Sequence, residues 1–111
     1  GKGLEDLIFN FKKILKSFSL SQLLIIGGPR NNEDKKYYNY LYHKYELKKF
    51  MKKIKFTGLT NNVSRYLNKN DVYIHPSKRE GMPRSLIEAM SSGLICISSN
   101  ARGSRELMMN C

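Results

Sequence analysis

The chain has 111 residues, of which 41% are hydrophobic, and its formal net charge is +11. This length suits one domain around one core, and the five phenylalanines and seven tyrosines argue against a disordered chain. No apolar run approaches the roughly 20 residues of a membrane-spanning helix, and because the sequence starts directly with an amphipathic pattern we expect no signal peptide. Because the sequence begins without methionine, we expect it to be a piece of a longer protein.

The two cysteines form no disulfide framework, because Cys96 sits in an apolar run and Cys111 is terminal. Unpaired thiols are typical of a reducing cytosol, so we expect a cytoplasmic protein. Cys96 is predicted to be a small core residue.

The first half of the chain alternates helix and strand patterns. Apolar residues at three- and four-residue steps, from Leu4 to Phe18, predict a helix over residues 3–18. The unbroken apolar run 23–26 suits a strand covered on both faces. A second helix is predicted over residues 32–50, with Asn31-Asn32 able to cap its start. The side chains expected on its core side are Tyr38, Leu41, Tyr42 and Tyr45.

The second half continues the alternation. The predicted elements are a strand over 54–57 ending at Gly58, a short helix capped by Asn61 or Asn62 and ending at Leu67, a buried strand over 72–75, a helix starting near Pro83, a strand over 94–97 and a final helix from Gly103 or Ser104.

This order predicts an α/β protein with a Rossmann-like, three-layer α/β/α arrangement around a parallel sheet. Residues 1–111 are expected to form a single, partial domain. In a parallel sheet the loops that follow the strands share the carboxyl edge, where ligands bind. The segment from Pro76 to Pro83 is one of those loops.

Two carboxylates flank the start of the helix near Pro83: Glu80 in the loop and Glu88 in the helix, with seven residues between them. The amides at a helix start attract anions such as phosphate, and carboxylates accept hydrogen bonds from hydroxyl groups. Amides for phosphate beside carboxylates for sugar hydroxyls suit a nucleotide sugar. The alternative roles are a solvated loop acid for Glu80 and a partner of the helix dipole for Glu88.

The segment Glu80-Gly81-x-Pro83 with Glu88-Ala89-Met90-x-x-Gly93 resembles the E-x7-E signature of retaining, GT-B-fold glycosyltransferases of family 4. The preceding segment 71–77, the strand after Gly93, and Arg102-Gly103-Ser104-Arg105-Glu106 also fit that family. The resemblance covers nearly the whole chain and implies the C-terminal, donor-binding half of a GT-B fold.

The resemblance also implies roles for individual residues. Glu80 would contact the donor sugar as the catalytic residue, and Glu88 would bind the ribose hydroxyls. Lys2 would neutralise the diphosphate, and Gly58 would border the base pocket. The full donor-binding set is Lys2, Gly58, Glu80, Gly81, Met82, Ser85, Leu86 and Glu88. Met82-Pro83 departs from the family pattern, and Pro83 has no amide to donate.

The function implied is retaining, hexosyltransferase-type transfer from a nucleoside diphosphate sugar to an acceptor, in the synthesis of bacterial surface polysaccharide or capsule. No metal and no cofactor is expected, because no His, Cys and Asp residues have metal-ligand spacing. The acceptor-binding domain would lie outside this sequence, so the chain alone is expected to be inactive. Two alternatives stay open: a GT-B-fold nucleotide-sugar epimerase and a basic nucleic-acid-binding module, although no nucleic-acid recognition motif is present.

Much of the positive charge lies in one stretch. Residues 35–55 contain eight lysines and one acid, Glu46, for a net charge of +7. Such a stretch can meet an anionic membrane surface or a lipid-linked acceptor, or it can simply be solvated. A peripheral position at the inner face of the membrane is therefore one expectation for the protein.

Overall fold

A computed structural model of the chain describes residues 3–77 and 83–109. They fall into two compact units. One unit comprises Leu7–Asn61, and the other comprises the described residues up to Asp6 together with those from Asn62 onward. Within the described residues, no helix has the length and apolar character needed to cross a membrane.

Helices and strands alternate along the chain. The helices are α1 (Leu4–Ser17), α2 (Asn32–Lys44), α3 (Val63–Leu67), α4 (Arg84–Ser91) and α5 (Arg102–Met109), with a short 3₁₀ helix at Leu47–Phe50. The strands are β1 (Leu23–Ile25), β2 (Ile54–Phe56), β3 (Val72–His75) and β4 (Ile95–Ser98).

In the unit Leu7–Asn61, β1 and β2 form a parallel ladder in which Leu23 pairs with Ile54 and Ile25 with Phe56. The apolar face of α1 and the buried side chains of α2 and β2 supply its core. The buried residues are Ile8, Phe11, Leu41, Leu47 and Ile54. Asn31 caps α2 as predicted, because its side chain accepts a hydrogen bond of 2.8 Å from the Asp34 amide.

The second helix is shorter than predicted. It ends at Lys44, and Glu46 takes a left-handed backbone conformation with φ of 52° before the 3₁₀ helix. An unbroken helix would place Leu47 about 120° around the helix axis from Leu41, off the inward face. The break allows both leucines to be buried.

Two side chains predicted to face the core are exposed. Tyr42 lies outward because it is one position, or about 100°, past the buried Leu41. Phe18 lies just beyond the end of α1 and is exposed as well. Tyr38 and Tyr45 are half-buried, as the predicted core side requires.

In the other unit, β3 and β4 pair in parallel, with Val72 opposite Ile95 and His75 opposite Ser98. Helix α4 contacts both strands. Leu86 and Ala89 are its fully buried residues, and Leu67 of α3 and Ala101 are buried in the same unit.

One face of this ladder is largely exposed. Ile95 is 67% exposed and Ile97 is 54% exposed, and Val72 of the adjoining strand is exposed as well. Strand alternation puts Tyr73 and His75 on the other side of the ladder. Because the Tyr73 hydroxyl bonds to Ser85 of α4, that other side is the one that α4 covers.

The predicted α/β class with parallel strands is confirmed. The two ladders are each two-stranded, with β1 paired to β2 and β3 paired to β4. The prediction that residues 1–111 form a single, partial domain stays a prediction.

The burial pattern predicts unequal costs for two substitutions in the unit that contains α4. Leu86→Ala should lower the free energy of unfolding by about 2–5 kcal/mol, because it leaves a cavity under α4. Ile95→Ala should cost about 1 kcal/mol or less, because its side chain is largely exposed. Urea unfolding of the two variants measures both values, and equal losses would contradict the packing described.

Candidate functional site

Four of the predicted site residues are described by the structure. Ser85, Leu86 and Glu88 lie in α4, and Gly58 lies in the unit Leu7–Asn61. The others, Lys2, Glu80, Gly81 and Met82, lie outside the described residues. The site can therefore be built from the start of α4 and the strand ends of its own unit.

Helix α4 starts with free donors. The amide of Ile87 makes the first helical hydrogen bond, to the Pro83 carbonyl at 3.1 Å. The amides of Arg84, Ser85 and Leu86 precede it and have no helical carbonyl to bond. Pro83 is fully buried and holds the helix start in place, although it has no amide of its own. Three amides and the positive end of the helix dipole can bind a phosphate group.

Some side chains of α4 are buried in the fold, and others are accessible to a ligand. The Leu86 side chain is fully buried, so only its amide can contribute to binding. Glu88 is exposed, and no ion pair with another described residue engages its carboxylate. Ser85 and Glu88 are three residues apart and share one face of the helix. A hydroxyl group and a carboxylate therefore face the same side of α4.

A hydrogen-bonded chain of side chains orients the Ser85 hydroxyl. The Tyr73 hydroxyl donates to Ser85 Oγ at 2.9 Å and lies 3.0 Å from His75 Nδ1. The Tyr73 phenol has one hydroxyl hydrogen. When it donates that hydrogen to Ser85, His75 must carry a proton on Nδ1 and donate it to the Tyr73 oxygen. Ser85 accepts from Tyr73, which leaves the Ser85 hydrogen to donate elsewhere. A phosphate oxygen at the helix start is a suitable acceptor for it.

Hydrogen bonds join the carboxyl ends of β3 and β4. The Ser99 amide donates to the His75 carbonyl at 3.0 Å, and the Ser99 hydroxyl donates to the Ser77 carbonyl. Ser77 is itself buried. These contacts fix the end of β3 and the two residues that follow it, Pro76 and Ser77.

Gly3 packs closely against Pro76, the residue that follows β3. Its φ is +73°, and a Cβ atom there would overlap the carbonyl oxygen of Pro76. Only glycine permits this approach of the chain start to the residue after β3. Gly3, which follows Lys2 in the sequence, is therefore in close contact with Pro76, the first residue after β3.

Sequence reasoning missed most of this framework. The motif indicates none of Tyr73, His75, Ser77 and Ser99. His75 is buried, and it also bonds to Tyr73. Strand alternation puts Tyr73 and His75 on one face, and that signal was available in the sequence.

The structure gives Gly58 a packing role. Its φ is +77°, and a Cβ added to Gly28 would lie 2.9 Å from the Gly58 Cα atom. Thr57 supports the same turn, because its hydroxyl accepts from the Gly27 amide at 3.0 Å and donates to the Gly58 carbonyl at 2.7 Å. The base-pocket role of Gly58 stays a prediction.

Tyr38, in the unit Leu7–Asn61, has a shifted pKa. The pKa of Tyr38 is raised, first by burial and then by the Asp34 carboxylate, with Arg30 acting in the opposite direction. Tyr38 belongs to the unit Leu7–Asn61 and has no assigned role.

In residues 3–77 and 83–109, no group of three His, Cys, Asp or Glu side chains could hold a metal ion.

Comparison with known proteins settles the family. The family model described as "Glycosyl transferases group 1" matches residues 1–110. The chain belongs to this family. The match favours a glycosyltransferase over the epimerase and the nucleic-acid-binding module considered above, and it agrees with the resemblance seen at Glu80 and Glu88.

Two bacterial relatives show what similar glycosyltransferases do. The UDP-Gal:alpha-D-GlcNAc-diphosphoundecaprenol alpha-1,3-galactosyltransferase of Escherichia coli is 41% identical over 59 residues, which is 53% of this chain and 15% of that protein. The capsular polysaccharide biosynthesis glycosyltransferase CapH of Staphylococcus aureus is 41% identical over 56 residues, which is 50% of this chain and 16% of that protein.

A solved structure shares the fold of this glycosyltransferase chain. The crystal structure of Anabaena Alr3699/HepE in complex with UDP matches with a TM-score of 0.65 and 21% identity, over 78% of this chain and 24% of that one. This likeness supports the α/β fold with parallel strands. The chain spans about a quarter or less of the length of the proteins it matches.

The contacts of Tyr73 predict a measurable cost of removing its hydroxyl group. Tyr73→Phe should lower the free energy of unfolding by about 1–3 kcal/mol, because Ser85 and the buried His75 each lose a hydrogen bond. Tyr42→Phe removes an exposed hydroxyl and is the matched control, with an expected change within about 0.5 kcal/mol. Urea unfolding of the two variants tests this, and an equal effect would show that the Tyr73 bonds do not hold the site.

Proposed function

We propose that this chain is the donor-binding part of a retaining glycosyltransferase that transfers a hexosyl group from a UDP-sugar. The observation that carries the proposal is the start of α4, where free amides lie beside the Ser85 hydroxyl and the exposed Glu88 carboxylate. UDP is favoured because the E. coli relative is named for UDP-Gal and the Anabaena structure contains UDP.

Each part of the donor meets a matching group in this proposal. The amides of Ser85 and Leu86, with the Ser85 hydroxyl, bind the diphosphate, and Lys2 adds positive charge. Glu88 accepts hydrogen bonds from the ribose hydroxyls, and Glu80 accepts them from the sugar. Gly81 and Met82 contribute amides in the loop between them.

The chemistry follows from where charge develops. As the bond between the sugar and the diphosphate breaks, negative charge grows on the leaving phosphate oxygens. Donors that are already in place at the helix start stabilise that charge without reorganisation. Glu80, held beside the sugar, is the catalytic residue of the proposal. The acceptor would be bound by a part of the enzyme outside this sequence.

The acceptor class is part of the same proposal. The E. coli relative is named for a diphosphoundecaprenol acceptor and the S. aureus relative for capsular polysaccharide biosynthesis. We therefore infer that the full enzyme elongates a lipid-linked precursor of a surface polysaccharide, in the cytoplasm.

The two glutamates should separate in binding experiments, because UDP contains the ribose but not the sugar. Glu88→Ala should weaken UDP and UDP-galactose alike, by about ten- to a hundredfold, since a hydrogen bond to a charged group contributes about 1.5–3 kcal/mol. Glu80→Ala should weaken UDP-galactose while UDP affinity stays near that of the unsubstituted chain.

Calorimetric titration of the chain with each ligand makes the measurement. Glu33→Ala is the control, because Glu33 is an exposed acid in the first turn of α2 and has no assigned role. If both glutamate variants bound UDP and UDP-galactose like this control, the pair would be a loop acid and a helix cap, and the assignment would fail.

A further inference from the structure

We propose that residues 35–55, the lysine–tyrosine segment, bind the surface of an anionic lipid bilayer. The segment includes most of α2, the 3₁₀ helix and the start of β2. The inference rests on its charge, its exposed aromatic side chains and the way those side chains contact one another. It requires no nucleotide, so it stands apart from the proposed transfer reaction.

The charge of the segment is almost wholly positive. Seven of its eight lysines are exposed and Lys53 is half-buried. The carboxylate of Glu46, the one acid, lies 3.3 Å from the Lys49 ammonium group, so a single carboxylate stands against eight lysines in the segment. Lysines clustered in this way near a membrane attract anionic lipid headgroups.

One side of α2 carries aromatic rings between the lysines. The inward side holds the fully buried Leu41 with the half-buried Tyr38. Tyr37, Tyr40 and Lys44 follow one another at spacings of three and four residues on another side. Tyr40 is 47% exposed, and Met51 beyond the 3₁₀ helix is 57% exposed. Tyrosine favours the boundary between water and lipid because its ring is apolar and its hydroxyl group is polar.

The contacts among these rings favour lipid over nucleic acid. Tyr37 and Tyr40 stack on each other with ring centroids 6.2 Å apart, and the Lys44 ammonium lies 5.3 Å from the Tyr40 centroid. These contacts engage part of the ring surface that a base would need for stacking, which is the main sequence-tolerant contact of single-stranded nucleic acid. The segment also contains no arginine, the residue that makes bidentate contacts with guanine.

Lysine alone suits a diffuse anionic surface. Its ammonium group acts as a mobile point charge that needs no fixed partner geometry. A bilayer containing phosphatidylglycerol presents many such charges in a plane. Binding there would hold the protein peripherally at a membrane, where a lipid-linked acceptor would also lie.

The test compares two variants of the chain that lose the same charge in different places. The segment variant carries Lys44→Gln, Lys48→Gln, Lys49→Gln and Lys52→Gln, all at exposed positions. The control carries Lys13→Gln, Lys16→Gln, Arg65→Gln and Lys69→Gln, also at exposed positions. Circular dichroism and urea unfolding establish that both variants fold like the unsubstituted chain.

Sedimentation with vesicles gives the readout. Vesicles of phosphatidylglycerol and phosphatidylcholine in equal parts are compared with vesicles of phosphatidylcholine alone, at low salt. The segment variant should bind the anionic vesicles about a hundred- to a thousandfold more weakly, since each lysine near the surface contributes a factor of about five. The control should change by at most about tenfold, because its charges act from outside the segment.

Three outcomes would overturn the proposal. The first is equal weakening of the two variants, which would mean that net charge alone drives the binding. The second is equal partitioning of the unsubstituted chain to anionic and neutral vesicles. The third is tighter binding to a single-stranded oligonucleotide than to anionic vesicles at the same salt concentration, which would make nucleic acid the partner.

Discussion

The packing of α4 on the ladder of β3 and β4 is the constraint on which the candidate site depends. The buried side chains of Leu86 and Ala89 fix the rotation of this helix. Because Ser85 and Glu88 are placed by the same rotation, burying Leu86 and Ala89 leaves Ser85 half-buried beside Tyr73 and leaves Glu88 exposed. The buried Pro83 sets where the helix begins, and hence which amides are left without a helical partner.

Hydrogen bonds of Tyr73 and His75 orient the Ser85 hydroxyl group of the packed helix α4. Tyr73 and His75 come from the face of β3 that α4 covers, and a face of this kind is normally filled by apolar side chains. Placing a phenol and an imidazole there costs hydration, which their mutual hydrogen bond and the bond to Ser85 offset. This polar pair ends at the Ser85 hydroxyl, so the contacts that fill this face also orient a polar group at the start of α4.

The sequence predicted the class of the fold because helix and strand periods alternate clearly, and element boundaries fell within a few residues of those observed. The exception is the helix after Asn31, whose end at Lys44 depends on burying Leu47, a tertiary effect that periodicity does not contain. The exposure of Ile95 and Ile97 also escaped prediction, because an apolar run indicates a strand but not which neighbours cover it.

The site was predicted from a motif rather than from contacts. The motif located Ser85, Leu86 and Glu88 at a helix start, and the structure adds that Leu86 can act only through its amide. It could not indicate Tyr73, Ser99 or Gly3, because their roles come from contacts between segments far apart in sequence. The lysine-rich stretch was visible as charge, while the stacking of Tyr37 on Tyr40 required coordinates.

The most direct test of the account is an amide chemical-shift map of the chain during titration with UDP. A diphosphate bound at the start of α4 should cause saturable changes centred on the amides of Ser85, Leu86 and Glu88, with smaller changes at Tyr73 and His75, because those groups would lie nearest to it. Changes centred on the lysine–tyrosine segment, or no change at the start of α4 while UDP binds, would contradict the placement of the donor site.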